Sequence, residues 1–394
     1  MSSHITALQG ATTTALQRQN KRIASIDILR GLVMLLMLVD HVRERLYYHH
    51  PISDPMTLDE TSVALFFTRI ATHFCAPVFV FLTGLSAWLY AHPAQGAPRS
   101  ASAYLLKRGL FIIGIEVTLI NFSWFGAYDA LYLQVMWAIG LSMIVLSLMV
   151  KAPYWLIGTS GLAIVLGHNA LEPVQFSTGE SGYFLWTILH DRGYLYASEA
   201  FKVKASYPAL PWMGVIMLGY FVGPLYQHTV TSASRQKNLI LIGVSCLLLL
   251  ALLRGLNLYG ETLPWQVGDS FIESARSFLN YTKYPPSLNF LLFTLGIATL
   301  VLAGLDTVNN RVSQFIESFG SAPLFFYIVH LYILLIGYKV LFAIYGATQG
   351  SYWGLDSLWQ VWAIALVLAL ALYFPTVRFA RFKRTSGIPW LKYF

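Results

Sequence analysis

Residues 22–43 read Arg22-Ile-Ala-Ser25-Ile-Asp27-Ile-Leu-Arg30-Gly31-Leu-Val-Met-Leu-Leu-Met-Leu-Val-Asp40-His41-Val-Arg43. The run from Ile26 to Leu46 is long enough to cross the hydrocarbon core of a bilayer, which takes about 17–25 residues. It nevertheless carries Arg30, Asp40 and His41 in or beside its apolar stretch, and ionisable groups at that depth are costly and usually functional. Ser25 reads as the N-cap of this helix, and Asp27 in the first turn suits the positive end of the helix dipole. At about 100° per residue, with Asp27 as origin, Arg30 falls near 300° and His41 near 320°, a stripe roughly 60° wide. Asp40 flanks it at about 220°, and Arg30 and His41 are separated by about 16 Å along the axis. Such a stripe is expected to face a protein-lined or water-filled cavity, not lipid. The plainer reading has Arg30 snorkelling to the headgroups and pairing with Asp27 at i, i+3, with His41 an ordinary interfacial residue.

The rest of the chain agrees with a membrane setting. Of the 394 residues, 56% are hydrophobic and 11% charged, against about 25% charged in a soluble domain. That composition cannot coat a water-exposed surface of this size, so the fold class is an all-α integral membrane protein. Apolar runs at Ile26–Leu46, Phe74–Tyr90, Leu105–Phe125, Ala130–Val150, Tyr154–Gly167, Leu210–Tyr226, Leu239–Leu253, Leu288–Leu305, Pro323–Ile344 and Leu358–Phe374 predict about ten spans. Ten spans put both termini on one side. With the N-terminus in the cytoplasm, 15 Lys and Arg fall on the cytoplasmic side and 8 on the other, although the other side holds the two longest loops, 168–207 and 257–284. This is the bias expected of cytoplasmic segments. The net charge of +8 therefore reads as topology, and no nucleic-acid partner is implied. The expected organisation is a mobile cytoplasmic tail over 1–22 that is not a cleavable signal peptide, a single transmembrane domain over 23–377, and a basic cytoplasmic tail over 378–394. Cys75 and Cys246 stand alone in apolar runs and make neither a metal motif nor a disulfide framework.

The pattern Ser25-Ile-Asp27-x-x-Arg30-Gly31 followed by Asp40-His41-x-Arg43 resembles the bacterial membrane family related to heparan-α-glucosaminide N-acetyltransferase. More distantly it is similar to membrane acyltransferases that decorate surface polysaccharides, which also place an Arg and a His eleven residues apart on their first helix. Three further stretches resemble the bacterial family: His73-Phe-Cys-Ala-Pro77-Val-Phe-Val-Phe-Leu-Thr-Gly84, Asn280-Tyr-Thr-Lys283-Tyr-Pro285-Pro286-Ser287 and Ser321-Ala-Pro323-Leu-Phe-Phe-Tyr327-Ile-Val-His330. The likeness spans nearly the whole chain. It implies acyl transfer across a bacterial cytoplasmic membrane. An acyl-CoA, acetyl-CoA above all, would be used from the cytoplasm, and a hydroxyl or amine of a glycan or amino sugar would be modified on the outer face. On that reading His41 removes the acceptor proton, Asp40 orients it or competes as base, and Arg30 with Asp27 meets the donor. In the eukaryotic sugar-amine acetyltransferase the catalytic histidine follows the first helix, where His49 and His50 stand here. The histidine role is therefore divided between His41 and that pair.

Other polar residues carry two readings each. His330 and Glu116, both mid-span, suit a substrate site or an interhelical hydrogen bond equally well. His73, at the start of the second span, suits the interface slightly better than the cavity. Tyr281 and Lys283 would meet an anionic acceptor or anchor at the interface, and most other Tyr and Trp suit the aromatic belts. No Walker loop, dinucleotide fingerprint, nucleophile elbow or metal-ligand spacing is present, so no metal is expected. The competing function is a transporter or flippase for a small polar or glycan substrate, in which the same charges would be coupling groups. The sequence leaves a homo-oligomer open.

Overall fold

The computed structural model describes residues 23–394, and the tail expected over 1–22 lies outside them. Helix α1 (Ala24–Leu46) starts directly after the extended residue Ile23, and no side chain caps it. The expected Ser25 cap is not made. Ser25 lies within the first turn and is buried, because the chain enters the helix two residues earlier than its polar side chain suggested.

Next come α2 (Val63–Thr72) and α3 (Cys75–Ala91), which continue as one apolar segment, Val63–Ala91. Helix α4 (Ala101–Ile115) passes through a π-turn (Glu116–Ile120) into α5 (Asn121–Phe125). Strand β1 (Ala130–Leu133) leads into α6 (Val135–Met149), followed by α7 (Tyr154–Gly167) and α8 (Tyr183–Leu189). Strands β2 (Gly193–Ala197) and β3 (Lys202–Ala205) precede α9 (Leu210–Phe221) and α10 (Ser232–Gly255). The chain closes with α11 (Phe271–Leu279), α12 (Leu288–Leu305), α13 (Arg311–Gly320), α14 (Pro323–Tyr345) and α15 (Leu358–Thr385).

Every predicted apolar run contains a helix. Five segments, Val63–Ala91, Ser232–Gly255, Leu288–Leu305, Pro323–Tyr345 and Leu358–Thr385, are long and apolar enough to cross a membrane by length and composition. The protein is a helical integral membrane protein, and two segments take local forms that the sequence did not suggest. First, it is not purely α: β1, β3 and β2 form a small sheet in that order, β1 parallel to β3 and β2 antiparallel to it. Residues 130–133 were read as the start of a span. They are extended because Lys202–Ala205 completes their ladder and the Asn121 side chain brackets Tyr132, accepting from its N–H at 2.7 Å and donating to its C=O at 3.0 Å. Second, the segment expected as a tail from Arg378 continues α15 to Thr385. A 3₁₀ turn (Pro389–Tyr393) then brings Phe394 against Phe111 of α4 and Phe379 of α15.

Helix α1 is the central element, packed against α2, α3, α12, α13, α14 and α15. Its closest neighbour is α13. A Cβ built on Gly31 would lie 1.9 Å from the Ile316 carbonyl oxygen, and one on Gly320 would lie 2.0 Å from that of Asp27. The two backbones touch, and only glycine allows it, as in close-packed membrane helices generally. Gly31→Ala is expected to destabilise the folded protein by about 1–3 kcal/mol or more, because the obstruction is backbone that cannot rotate away. Gly114→Ala, where nothing lies within 4 Å of the added carbon, is the control. Thermal unfolding of the two variants in the same detergent tests this, and equal midpoints would contradict it.

The long segment before α12 is fixed by buried polar groups. The Arg254 guanidinium donates to the carbonyls of Ser277 (2.9 Å), Phe278 (3.1 Å) and Asn280 (3.2 Å). The Asn280 amide accepts from Met56 N–H at 2.9 Å and donates to Met56 C=O at 2.7 Å. Glu261 accepts from Thr282 N–H (2.9 Å) and Ser287 Oγ (2.7 Å). A loop tied at so many points presents its side chains in one place, and Lys283 is among them.

Candidate active site

Ile23, just before α1, and Asp27, Arg30, Met34, Met37 and His41 of α1 recur every three or four residues, and all six line one cavity of about 770 Å³. That volume lies within the range of about 300–1,000 Å³ usual for ligand sites. The polar stripe inferred from helical geometry does face a cavity. Of the plainer reading of Arg30, the pairing with Asp27 is made, while its Nη2 donates to Ser86 Oγ of α3 at 2.9 Å. The cavity has two chemically different ends. At the start of α1 it is lined by His92, Arg108, Gln227, His228, Lys383 and Lys392, several of them exposed. Toward the end of α1 it is lined by Asp40, His41, Lys283, Tyr327 and Tyr207, the last closed over by a 2.8 Å hydrogen bond between Tyr207 and Tyr284 hydroxyls.

His41 lies at the enclosed end. Its Nδ1 is 2.7 Å from His330 Nε2, and the rings are stacked with centroids 5.0 Å apart. Trp124 and Tyr327 meet the His41 ring edge-on at 5.2 and 5.6 Å. His330 Nδ1 in turn lies 2.7 Å from the Phe326 carbonyl oxygen. These contacts decide the proton positions. A carbonyl only accepts, so His330 Nδ1 carries a hydrogen. Nε2 of the neutral ring is then an acceptor, so His41 Nδ1 carries the donated hydrogen. The lone pair of His41 is left on Nε2, which has no hydrogen-bond partner among the described residues.

Asp40 has a different occupation from the one its position beside His41 suggested. Its carboxylate accepts from Arg43 (Nε 3.1 Å, Nη2 2.9 Å) and from Arg69 Nη1 (3.0 and 3.2 Å), and Arg43 also reaches Glu44 at 3.1 Å. Arg69 escaped the sequence reading because Val63–Thr72 lies before the apolar run and was not read as a helix. A signal was there, since Arg69 stands one helical turn before His73. His73 itself is buried edge-on against Phe290 at 5.2 Å and does not line the cavity.

The remaining sequence candidates separate cleanly. Lys283 lines the cavity, while Tyr281 packs beneath it against Phe293 and under the Arg254 guanidinium, away from the lining. Glu116, fully buried at the head of the π-turn, accepts from Gln134 N–H at 3.0 Å and so caps the entry to α6. His49 and His50 group with Tyr47, their ring centroids 4.9 and 4.6 Å from its own, outside the cavity. Among the described residues no cluster of three or more His, Cys, Asp or Glu could hold a metal ion.

The family model described as heparan-alpha-glucosaminide N-acetyltransferase, catalytic, matches residues 22–249, more than half of the chain. The match takes in all of α1, Arg69 and Ser86, whereas Lys283 and His330 lie beyond it. No curated protein matches the chain.

Proposed function

The chain belongs to the heparan-alpha-glucosaminide N-acetyltransferase catalytic family, and from that premise we propose that it moves an acetyl group from cytoplasmic acetyl-CoA to a hydroxyl or amine of a glycan or amino sugar on the outer face of a bacterial inner membrane. The observation that carries this reading is the Phe326–His330–His41 relay, which leaves a basic nitrogen at the enclosed end of a cavity whose other end is basic and exposed. Ten spans, both termini in the cytoplasm and a single domain over 23–377 complete the proposal. The excess of Lys and Arg on the side of the α1 start supports that orientation.

The fit of the donor rests on charge and length. Arg108, His228, Lys383 and Lys392 surround the exposed mouth and suit the CoA phosphates. Arg30, its charge offset by Asp27, suits the amides of the pantetheine arm. Some 16 Å of helix separates Arg30 from His41, a span for an extended arm that ends at the thioester. His41 Nε2 takes the proton from the acceptor O–H or N–H as that atom bonds to the thioester carbonyl carbon. The C–S bond breaks, and the proton passes from His41 to the departing CoA thiolate. His330 is a positioning residue: it holds His41 Nδ1–H and thereby keeps the lone pair on Nε2.

The test is release of CoA thiol by purified protein given acetyl-CoA and sugar acceptors, with acetylated product identified by mass. In that assay His330→Phe is expected to lower kcat by about 10–100-fold with the donor KM nearly unchanged, and His330→Asn, which can still accept from His41, to recover part of it. Loss of kcat and donor KM together would make His330 merely structural. Absence of transfer to every acceptor would remove the acyltransferase reading.

A further inference from the structure

We propose that Lys283 is the anchor for an anionic group, a carboxylate or phosphate, on the acceptor presented to His41. This rests on the acyl-transfer reading above and names the substrate class for it. Lys283 is 3% exposed and lines the enclosed end of the cavity with His41 and Tyr207. Its ammonium forms no hydrogen bond or ion pair with any described residue and lies over the Tyr284 ring at 5.2 Å. An ammonium withdrawn from bulk water is costly unless an opposite charge meets it. The charged groups nearby are already committed. Asp40 is held by Arg43 and Arg69, and Glu44 by Arg43. Asp54, the third carboxylate nearby, is turned to the Lys283 backbone N–H at 3.0 and 3.2 Å, so the Lys283 ammonium is the cation that no carboxylate pairs directly.

The position of this cation is built in. Its backbone N–H donates to the Asp54 carboxylate at 3.0 Å, and Asn280 and Glu261 pin the residues around it. A pre-positioned charge is what selective recognition of an anion requires. The donor phosphates belong to the opposite end, beside Arg108 and Lys392, with the length of the Arg30–His41 stretch between. An anion at Lys283 comes therefore either with the acceptor or as a second carboxylate on the acyl chain. The acceptor is favoured because Lys283 stands in the loop that closes the outer end, the side on which the acceptor arrives.

The experiment measures binding to the full-length chain in detergent, by thermal shift, for two pairs of probes: glucosamine 6-phosphate against glucosamine, and glucuronate against glucose. The charged member of each pair is expected to bind at least about tenfold more tightly. Lys283→Gln is expected to abolish that preference and Lys283→Arg to keep most of it, with the acetyl-CoA shift reporting an intact fold. Equal responses to charged and neutral sugars, or a preference that survives in Lys283→Gln, overturn the proposal. A third arm compares succinyl-CoA with acetyl-CoA. If Lys283→Gln erases a preference for the acidic donor and leaves that for the charged sugars, the anion belongs to the donor, which also overturns it. Because these are binding measurements, failure of the acyl-transfer reading is seen separately, as absence of CoA release with any sugar.

Discussion

His41→Ala lowers kcat for acyl transfer by about 10²–10⁴-fold while the donor KM stays within a few-fold of wild type, the expected signature of a lost general base. The expectation follows from the proton positions. Phe326 C=O holds His330 Nδ1–H, His330 Nε2 holds His41 Nδ1–H, and the lone pair on His41 Nε2 is left free for the acceptor that the proposed reaction requires. The donor contacts proposed at Arg108, Lys392 and Arg30 do not involve the imidazole, so ground-state affinity for acyl-CoA is preserved. His50→Ala is the contrasting variant. His50 is exposed, stacked on Tyr47 at 4.6 Å, and outside the cavity, so its kcat is expected to stay within about twofold of wild type. Steady-state kinetics with acetyl-CoA and one competent acceptor decide between them. A collapse of kcat in His50→Ala with His41→Ala near wild type would transfer the base to the loop after α1 and end the relay reading.

Asp40→Ala costs about 3–5 kcal/mol of stability, because it leaves two buried guanidiniums without their shared anion. The side chains of Arg43 and Arg69 are 7% and 8% exposed, and both close on the Asp40 carboxylate from different helices, α1 and α2. Glu44, 3.9 Å from Arg69 and more exposed, offsets only part of the loss. The effect is read as a fall in the unfolding midpoint in detergent and in the yield of monodisperse protein. The double variant Asp40→Ala, Arg69→Met is expected to recover part of that loss, since it removes one of the stranded charges along with the anion. Stability unchanged in Asp40→Ala would show that the cluster is solvated and contributes little. Turnover per folded molecule should fall far less than in His41→Ala, which separates a residue that holds helices together from one that moves a proton.

The first helix shows how far local pattern carries. Periodicity alone places Asp27, Arg30 and His41 on one stripe, and that stripe lines the cavity, because the geometry of a helix is set within itself. The apolar runs likewise locate the helices, since each must satisfy its own backbone in lipid. The reading weakens where hydrogen bonds leave the segment. Residues 130–133 are apolar enough for a span but are drawn into a strand by Lys202–Ala205. The Ser25 cap is displaced by the path on which the chain enters α1. Glu116, as apt for a substrate as for a structural bond when seen in sequence, spends one oxygen on Gln134 N–H.

The sequence by itself determined a membrane-embedded helical protein, with its charge bias and a polar face along α1, because composition and period are properties of each segment alone. Tertiary structure decided which side chains meet that face. His330 is 289 residues from His41, and Asp40 is claimed by an arginine 29 residues away. The Lys283 ammonium is seen to lack a carboxylate partner only when the nearby acids, Asp40, Glu44 and Asp54, are found to be occupied elsewhere. Chain separation of that order leaves no periodic trace, and the partners of a buried charge follow from which helices pack together, not from the order in which they were written.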